Sequence, residues 1–166
     1  CGGGVDAGLL DVARHVAVIL ANSGNLPDAQ TIEWLQRRAG NPHVWPRTFG
    51  VVGLQLQRAE LTAQVAKWVG AAGKRLRCGV AMAPAADGQT SALVVVGVEP
   101  TADLDPLPTH VSVGSWLQVG ASLQPGTVAG RVVLLPPVGA PRTVLSSVSP
   151  GTPPHLRSRI QLPQAG

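Results

Sequence analysis

The chain has 166 residues, of which 45% are hydrophobic, enough for the core of one full domain or of two small ones. Only 13% of the residues are charged, whereas 20 glycines and 15 prolines favour turns and short strands over long helices. The formal net charge of +4 comes from scattered basic residues, and the chain has one Phe and no Tyr. It therefore lacks the basic, aromatic-rich surface of nucleic-acid-binding proteins, and we expect no nucleic acid as a partner.

The first four residues are Cys1 and three glycines, with no initiator Met before them. Mature bacterial lipoproteins begin in this way, because their signal peptide is cut before a cysteine whose thiol carries a diacylglyceryl group. We therefore predict a flexible tether at residues 1–4, lipidation of Cys1, attachment to the membrane through that lipid, and an outer-membrane location in the bacterial cell envelope. An arbitrary start or the remnant of a tag is the alternative. No segment reaches the roughly 18 apolar residues needed to span a bilayer.

The second cysteine, Cys78, has no intrachain partner if Cys1 carries a lipid, which excludes a disulfide scaffold. In a strand, Cys78 shares one face with Leu76, Val80 and Met82. We therefore predict a buried and unreactive thiol in the core.

Three segments have apolar residues at helical spacing. In the first, Asn22 to Asn25 supply the stop signal, and in the second, Pro27 and Asp28 suit the first turn and Gly40 follows as terminator. The predicted helices cover residues 5–21, 27–38 and 58–72. The apolar face of the first helix consists of Leu9, Val12, Ala13, Val16, Ala17 and Leu20.

Three strands are predicted between and after these helices, at residues 49–57, 76–83 and 91–98. The last two flank an Asp-Gly turn signal at residues 87–88. The strand at 91–98 is apolar on both faces, so it should lie in the middle of its sheet. Together these elements predict an α+β domain over residues 5–99, with three helices and an antiparallel sheet.

A proline-rich segment at residues 100–109 follows this domain, and we predict a linker in which Asp103 and Asp105 are solvated. The remaining part, residues 110–166, loses the helical period and is predicted to be a small, β-rich, partly sandwich-like region. Because a complete sandwich needs about seven strands, it packs on the first domain, pairs with another chain, or continues beyond residue 166. Its predicted strands lie at 110–119, 127–135, 142–148 and 159–162.

The sequence contains no Gly-rich phosphate loop, no Gly-x-Ser-x-Gly elbow and no paired metal-ligand spacing. We therefore predict no catalytic residue, no metal and no cofactor. The alternative is a hydrolase that acts on polymers of the cell envelope, with a site assembled from the distant residues His43, His110, Glu33 and Glu60.

Tryptophans dominate the few aromatic residues, and exposed tryptophans often mark recognition surfaces. Trp68 fits an apolar helical face, whereas Trp45 lies in an irregular loop and Trp116 in a predicted strand. We predict Trp45 and Trp116 to be contacts for a partner. The leading hypothesis is thus a non-catalytic envelope lipoprotein that binds other envelope proteins as a subunit of a surface or periplasmic assembly.

One stretch, from Trp68 to Val96, resembles the closing segment of bacterial CAP-superfamily domains. A tryptophan-bearing helix leads there into a Gly-Val-Ala strand, a turn with glycine and an apolar strand, matched here by Trp68, residues 79–81, Gly88 and residues 94–96. The resemblance covers less than a fifth of the chain and implies an α-β-α layered fold. It implies no site residue, because residues 71–74 depart from the family's Ser-x-x-His run.

Overall fold

The computed structural model describes residues 1–43, 45–54, 56–73, 75–108, 110–127, 129–136 and 138–162. The chain divides into two compact units, Cys1–Pro100 and Thr101–Gly166. Helices and antiparallel sheets occur together, which confirms the α+β class. Each unit is described below by itself.

The first unit contains, within the described residues, three helices and one three-stranded antiparallel sheet with the strand order β1-β3-β2. The elements in chain order are α1 (Ala7–Ser23), α2 (Ala29–Arg38), β1 (Arg47–Leu54), α3 (Arg58–Ala72), β2 (Arg77–Pro84) and β3 (Thr90–Val98). The apolar strand β3 is the central one, as its sequence predicts, because both of its faces need covering.

Helix α1 begins and ends where its capping residues allow. The Asp6 carboxylate accepts a hydrogen bond from the Leu9 amide at 2.9 Å, and Gly24 takes a left-handed conformation with φ 74°. All six residues of the predicted apolar face are buried. They pack on the sheet face that carries Ala81 and Val94, and Ile32 and Leu35 of α2 join the same core.

The opposite face of the sheet is covered by α3. Leu61, Val65 and Trp68 of this helix pack with Cys78 and Val95 of the sheet. The Trp68 ring lies 6.2 Å from the ring of Phe49. The two layers of helix enclose the sheet because alternate side chains of each strand point to opposite faces.

Among the element boundaries that differ from the predicted ones, two have clear local reasons. Helix α2 begins at Ala29 rather than at residue 27, because Asp28 caps it by accepting a hydrogen bond from the Thr31 amide at 2.7 Å. Strand β1 ends at Leu54 rather than at residue 57, since Gln57 is already the N-cap of α3. Residue 55 of that predicted strand lies outside the described residues.

The second unit has, in the part of the chain that the structure describes, a four-stranded sheet with the order β4-β5-β9-β8 and a two-stranded sheet of β6 and β7. The strands are β4 (Ala102–Leu104), β5 (Trp116–Leu123), β6 (Val132–Leu134), β7 (Arg142–Val144), β8 (Ser146–Ser149) and β9 (His155–Gln161). Ala121, Leu123 and Leu156 form its core. The predicted strand at 142–148 is therefore divided into two, and the one at 159–162 is the end of a longer strand.

The expectation that Asp103 and Asp105 are solvated linker residues is wrong. Asp103 belongs to β4, which pairs with β5, and its carboxylate accepts a hydrogen bond from Gln124 Nε2 at 2.8 Å. Asp105 Oδ2 lies 3.3 Å from His155 Nε2. The proline-rich composition hid a short edge strand, because prolines can flank such a strand without interrupting its ladder. Continuation of the chain beyond residue 166 stays a prediction, and residues 163–166 lie outside the described ones.

None of the described helices is long and apolar enough to cross a membrane.

Candidate functional site

A groove of about 730 Å³ runs between α3 and the sheet of the first unit. Leu61, Val65 and Val69 line its helical side, one turn apart along α3. Val80, Met82 and Leu93 line its floor. Its volume lies within the range of about 300–1,000 Å³ that is usual for binding pockets, and its lining is mainly apolar.

The groove is open because α3 covers only part of the sheet face. Pairing places Phe49, Val95 and Val80 in one row across β1, β3 and β2. Val95 is fully buried on the central strand, whereas Val80 on β2 is 41% exposed and Met82 is 57% exposed. The tryptophan anchor of α3 sits towards β1, where Trp68 contacts Phe49. The part of this apolar sheet face around Val80 and Met82 of β2 is therefore left without a helix above it.

Arg58 is the only charged side chain that lines the groove among the described residues. It stands at the start of α3, whose N-cap Gln57 makes no side-chain capping bond. The hydroxyl of Thr62, also in the lining, donates to the Arg58 carbonyl at 2.8 Å, so that polar group is already satisfied. The groove thus offers an apolar floor with one positive charge at one end.

Cys1 also lines the groove, and it forms a disulfide with Cys78. The Cα atoms are 6.0 Å apart, a usual separation for a disulfide. In this structure Cys78 therefore has an intrachain partner, whereas the prediction that it has none applies only if Cys1 carries a lipid. Its predicted burial is confirmed, since Cys78 is fully buried. The pairing, between cysteines 77 positions apart, was not predicted because Cys1 was expected to carry a lipid.

The segment before α1 is held against the edge of β2, which differs from a flexible tether. The Gly3 amide donates to the Leu76 carbonyl at 2.9 Å, and the Cys78 amide donates to the Gly4 carbonyl at 3.2 Å. These bonds bring the Cys1 sulfur to Cys78. A sulfur in a disulfide cannot carry a thioether-linked lipid, so the disulfide and the predicted lipidation of Cys1 are alternative states of one atom.

A second candidate surface is the exposed face of the four-stranded sheet in the second unit. The register pairs Trp116 with Gln161, Gln118 with Arg159, and Gly120 with Arg157. Directly opposed residues share a face, and the neighbouring Val119 and Ser158 are buried on the other side.

Trp116 is 56% exposed, and the Arg159 guanidinium carbon lies 4.8 Å from the centre of its ring. This stacking holds the guanidinium in place. A groove of about 450 Å³ adjoins the pair and is lined by Gln118, Leu145, Ser146, Ser147, Arg157, Ser158 and Arg159.

The other sequence-predicted residues are dispersed over the fold. Trp45 is 82% exposed and has a left-handed backbone with φ 53°, but it does not line either groove. Glu33 lies on α2 and pairs with Arg37 at 3.5 Å. Glu60 lies in the first turn of α3, on the opposite side of the sheet from α2. The sheet therefore separates the two carboxylates of the alternative hydrolase site.

His43 and His110, the histidines of that site, belong to different units. His43 lies just after the buried Asn41, whose side-chain oxygen accepts a hydrogen bond from the His43 amide at 2.9 Å. His110 is exposed in the second unit. Among the described residues, no group of three or more His, Cys, Asp or Glu side chains is arranged to hold a metal.

A Ser-His-Asp alignment that the sequence did not reveal lies across β5, β9 and the end of β4. His155 Nε2 is 3.3 Å from Asp105 Oδ2, and its Nδ1 is 3.5 Å from Ser122 Oγ. The Ser-His distance exceeds the 2.6–3.2 Å expected for an activated nucleophile. Neither groove includes any of the three residues. The arrangement is best explained as a polar link between strands, and Gly120 makes room for it, since a Cβ there would meet His155 Nε2 at 3.0 Å.

No family model, no curated protein and no solved structure matches this chain. The resemblance of residues 68–96 to CAP-superfamily domains therefore stays a prediction.

Proposed function

We propose that this protein is a non-catalytic binding subunit of the bacterial cell envelope, and that the groove beside α3 receives an apolar segment of a partner envelope protein. The observation that carries the proposal is the uncovered sheet face at β2, where Val80 and Met82 stay exposed within an otherwise apolar cavity. Contiguous apolar surface of this kind marks interaction sites in soluble domains.

The shape of the groove favours an amphipathic helix as the occupant. Such a helix inserts residues spaced three or four positions apart into an apolar trough, in the way that α3 itself covers the other half of the face. Met82 suits this role because its side chain is flexible and adapts to the residues that pack on it. Arg58 would pair with an acidic residue near one end of the bound helix.

Attachment to the outer membrane through a lipid on Cys1 is part of the same proposal. In the lipidated form the Cys1 sulfur is occupied, and Cys78 is a buried thiol beneath α3. In the disulfide form no thioether is present. Trp45 and Trp116 stay proposed contacts for partners outside the groove, because both are exposed.

The test is photo-crosslinking in the native cell envelope with a benzoylphenylalanine placed at Met82. The matched control carries the same residue at Gln64, an exposed position on α3 that does not line the groove. We expect one discrete protein adduct from position 82 that is absent from position 64. Addition of Val80→Glu should abolish this adduct, because a carboxylate would then stand on the apolar floor.

The mass of the adduct distinguishes the possible occupants. A single heterologous protein supports the proposal. A dimer of this chain, a lipid adduct, or equal labelling from both positions would each contradict it. An intact mass of the protein from its membrane fraction tests the anchor separately: a gain equal to a diacylglyceryl or triacyl group supports lipidation, and the mass of the unmodified chain does not.

A further inference from the structure

We infer that the exposed sheet face of the second unit binds an acidic peptide in an extended conformation, with Arg157 and Arg159 as its carboxylate receptors. This site is separate from the groove beside α3 and does not depend on it. It rests on the positions, charges and surroundings of the two arginines.

The spacing of the two arginines along β9 matches the repeat of an extended peptide. They are two positions apart on β9, so their side chains leave the same face of the strand. Their Cα atoms are therefore separated by about 7 Å, the repeat of two residues in any extended chain. An extended peptide with a carboxylate at every second position presents its charges at this same repeat.

The arginines are also free to receive a ligand. Neither Arg157 nor Arg159 has a carboxylate within ion-pair distance in the described part of the chain. Both side chains line the groove of about 450 Å³. Stacking on Trp116 holds the Arg159 guanidinium, which leaves its donor edge available for a bidentate contact with a carboxylate.

The rest of the groove is consistent with a peptide. Gln118 and Ser147 supply polar groups, and Leu145, which is 93% exposed, offers an apolar contact at its margin. At the far end of the sheet, Asp105 lies next to Gly120 and pairs with His155. Its negative charge disfavours extension of an acidic ligand in that direction, so the binding surface is confined to the end of the sheet that carries Trp116.

The test uses two synthetic peptides of identical composition, titrated into the full chain by calorimetry. In acetyl-Glu-Ser-Glu-Ser-Glu-amide the carboxylates alternate, and in acetyl-Glu-Glu-Ser-Ser-Glu-amide no two carboxylates are two positions apart. We expect the alternating peptide to bind about threefold to tenfold more tightly, since only it matches both arginines in an extended conformation. Its affinity should fall as salt is raised from about 0.05 M to 0.5 M.

Four variants locate the site. Arg157→Gln and Arg159→Gln should each weaken binding of the alternating peptide by about threefold to tenfold. Arg142→Gln, which removes an exposed arginine of β7 outside the groove, should change it by less than about twofold. Arg159→Lys keeps the charge but lacks the planar fork, so it should also weaken binding.

Four outcomes would overturn the inference: no binding of either peptide, equal affinity for both, an equal loss in all three Gln variants, or tighter binding of an oligogalacturonate than of the alternating peptide. The last result would assign the face to an anionic polysaccharide. All three arginines that define the test are exposed or lie in an open groove, and an unchanged melting temperature in each variant would show that folding is intact.

Discussion

In both units alternate side chains of each strand point to opposite faces of a sheet, but the exposed sheet surface is apolar in the first unit and carries charged residues in the second. In the first, the side of the sheet away from α1 is apolar, and α3 covers only the part nearest β1, so Val80 and Met82 remain exposed. In the second, the exposed side of the sheet carries Trp116, Arg157 and Arg159, and the apolar side is the core. This difference is the basis for the two modes of binding that we propose, one by apolar burial and one by charge.

The largest expected effect is on the core of the first unit. Leu9 is fully buried between α1 and the sheet, so Leu9→Ala should lower the free energy of unfolding by about 2–5 kcal/mol. Hydrogen exchange should accelerate in the amides of β3 while those of β9 stay protected, if the units unfold independently. Val18→Ala, at an exposed position of the same helix, is the control and should cost less than about 0.5 kcal/mol. Equal acceleration in both sheets would show that the two units unfold as one.

The disulfide is a further difference between the two units, because only the first unit contains cysteine. In the oxidised chain, Cys1→Ser removes a crosslink between residues 77 positions apart and should lower the free energy of unfolding by about 2–4 kcal/mol. Chemical denaturation of the oxidised wild type and of the variant measures this loss. The variant should match the wild type under a reducing agent. If the oxidised proteins already agree, the crosslink does not form in solution.

The smallest expected effect concerns acid stability. Asp87, in the turn between β2 and β3, accepts hydrogen bonds from the amides of Thr90 and Gln89, both at 2.9 Å, and from the Thr90 hydroxyl. The amide of Thr90 contributes most, and together these bonds lower the pKa of Asp87 below its usual value of 3.8. The ionised form is thus favoured in the folded state, so its contribution is present above the unfolded pKa and is lost as the pH falls through the lower folded pKa.

Asp87→Asn should therefore flatten the decline of the melting temperature below about pH 4 and leave its slope between pH 6 and 8 unchanged. Glu60→Gln, which alters a carboxylate at the start of α3 instead, serves as a comparison. A melting profile of Asp87→Asn that parallels the wild type throughout the acid range would contradict this role of the turn.

Local sequence patterns predicted most helices and strands, because the formation of each element depends on residues that are close in sequence. The helical spacing from Leu9 to Leu20 predicted the buried face of α1, and the two-sided apolar pattern of residues 91–98 predicted the central strand. The errors fell mainly in the second unit, where the strand predicted at 110–119 is β5 at Trp116–Leu123. Strand β4 was missed because three residues beside prolines carry no detectable alternation, and their pairing with β5 depends on chain 17 or more positions away.

The candidate sites were harder to predict from local sequence patterns than the helices and strands were. The sequence predicted Trp116 to be a contact for a partner, but it did not reveal that Arg159 stacks on its ring or that Arg157 shares its face, since both follow from the register of β5 and β9. The groove beside α3 was not foreseen either. The same apolar residues predict a closed core or an open groove, depending on where the helix lies across the sheet.

The sequence by itself determined the α+β class, the approximate extent of the helices and strands of the first unit and the residues of the main core, since these depend on period, capping and turn chemistry within short windows. Only the tertiary structure decided that Cys1 meets Cys78, that Asp105 reaches His155, and that β2 keeps part of its apolar face uncovered. Such pairings join distant positions, and their geometry is set by how whole elements pack rather than by any pattern along the chain.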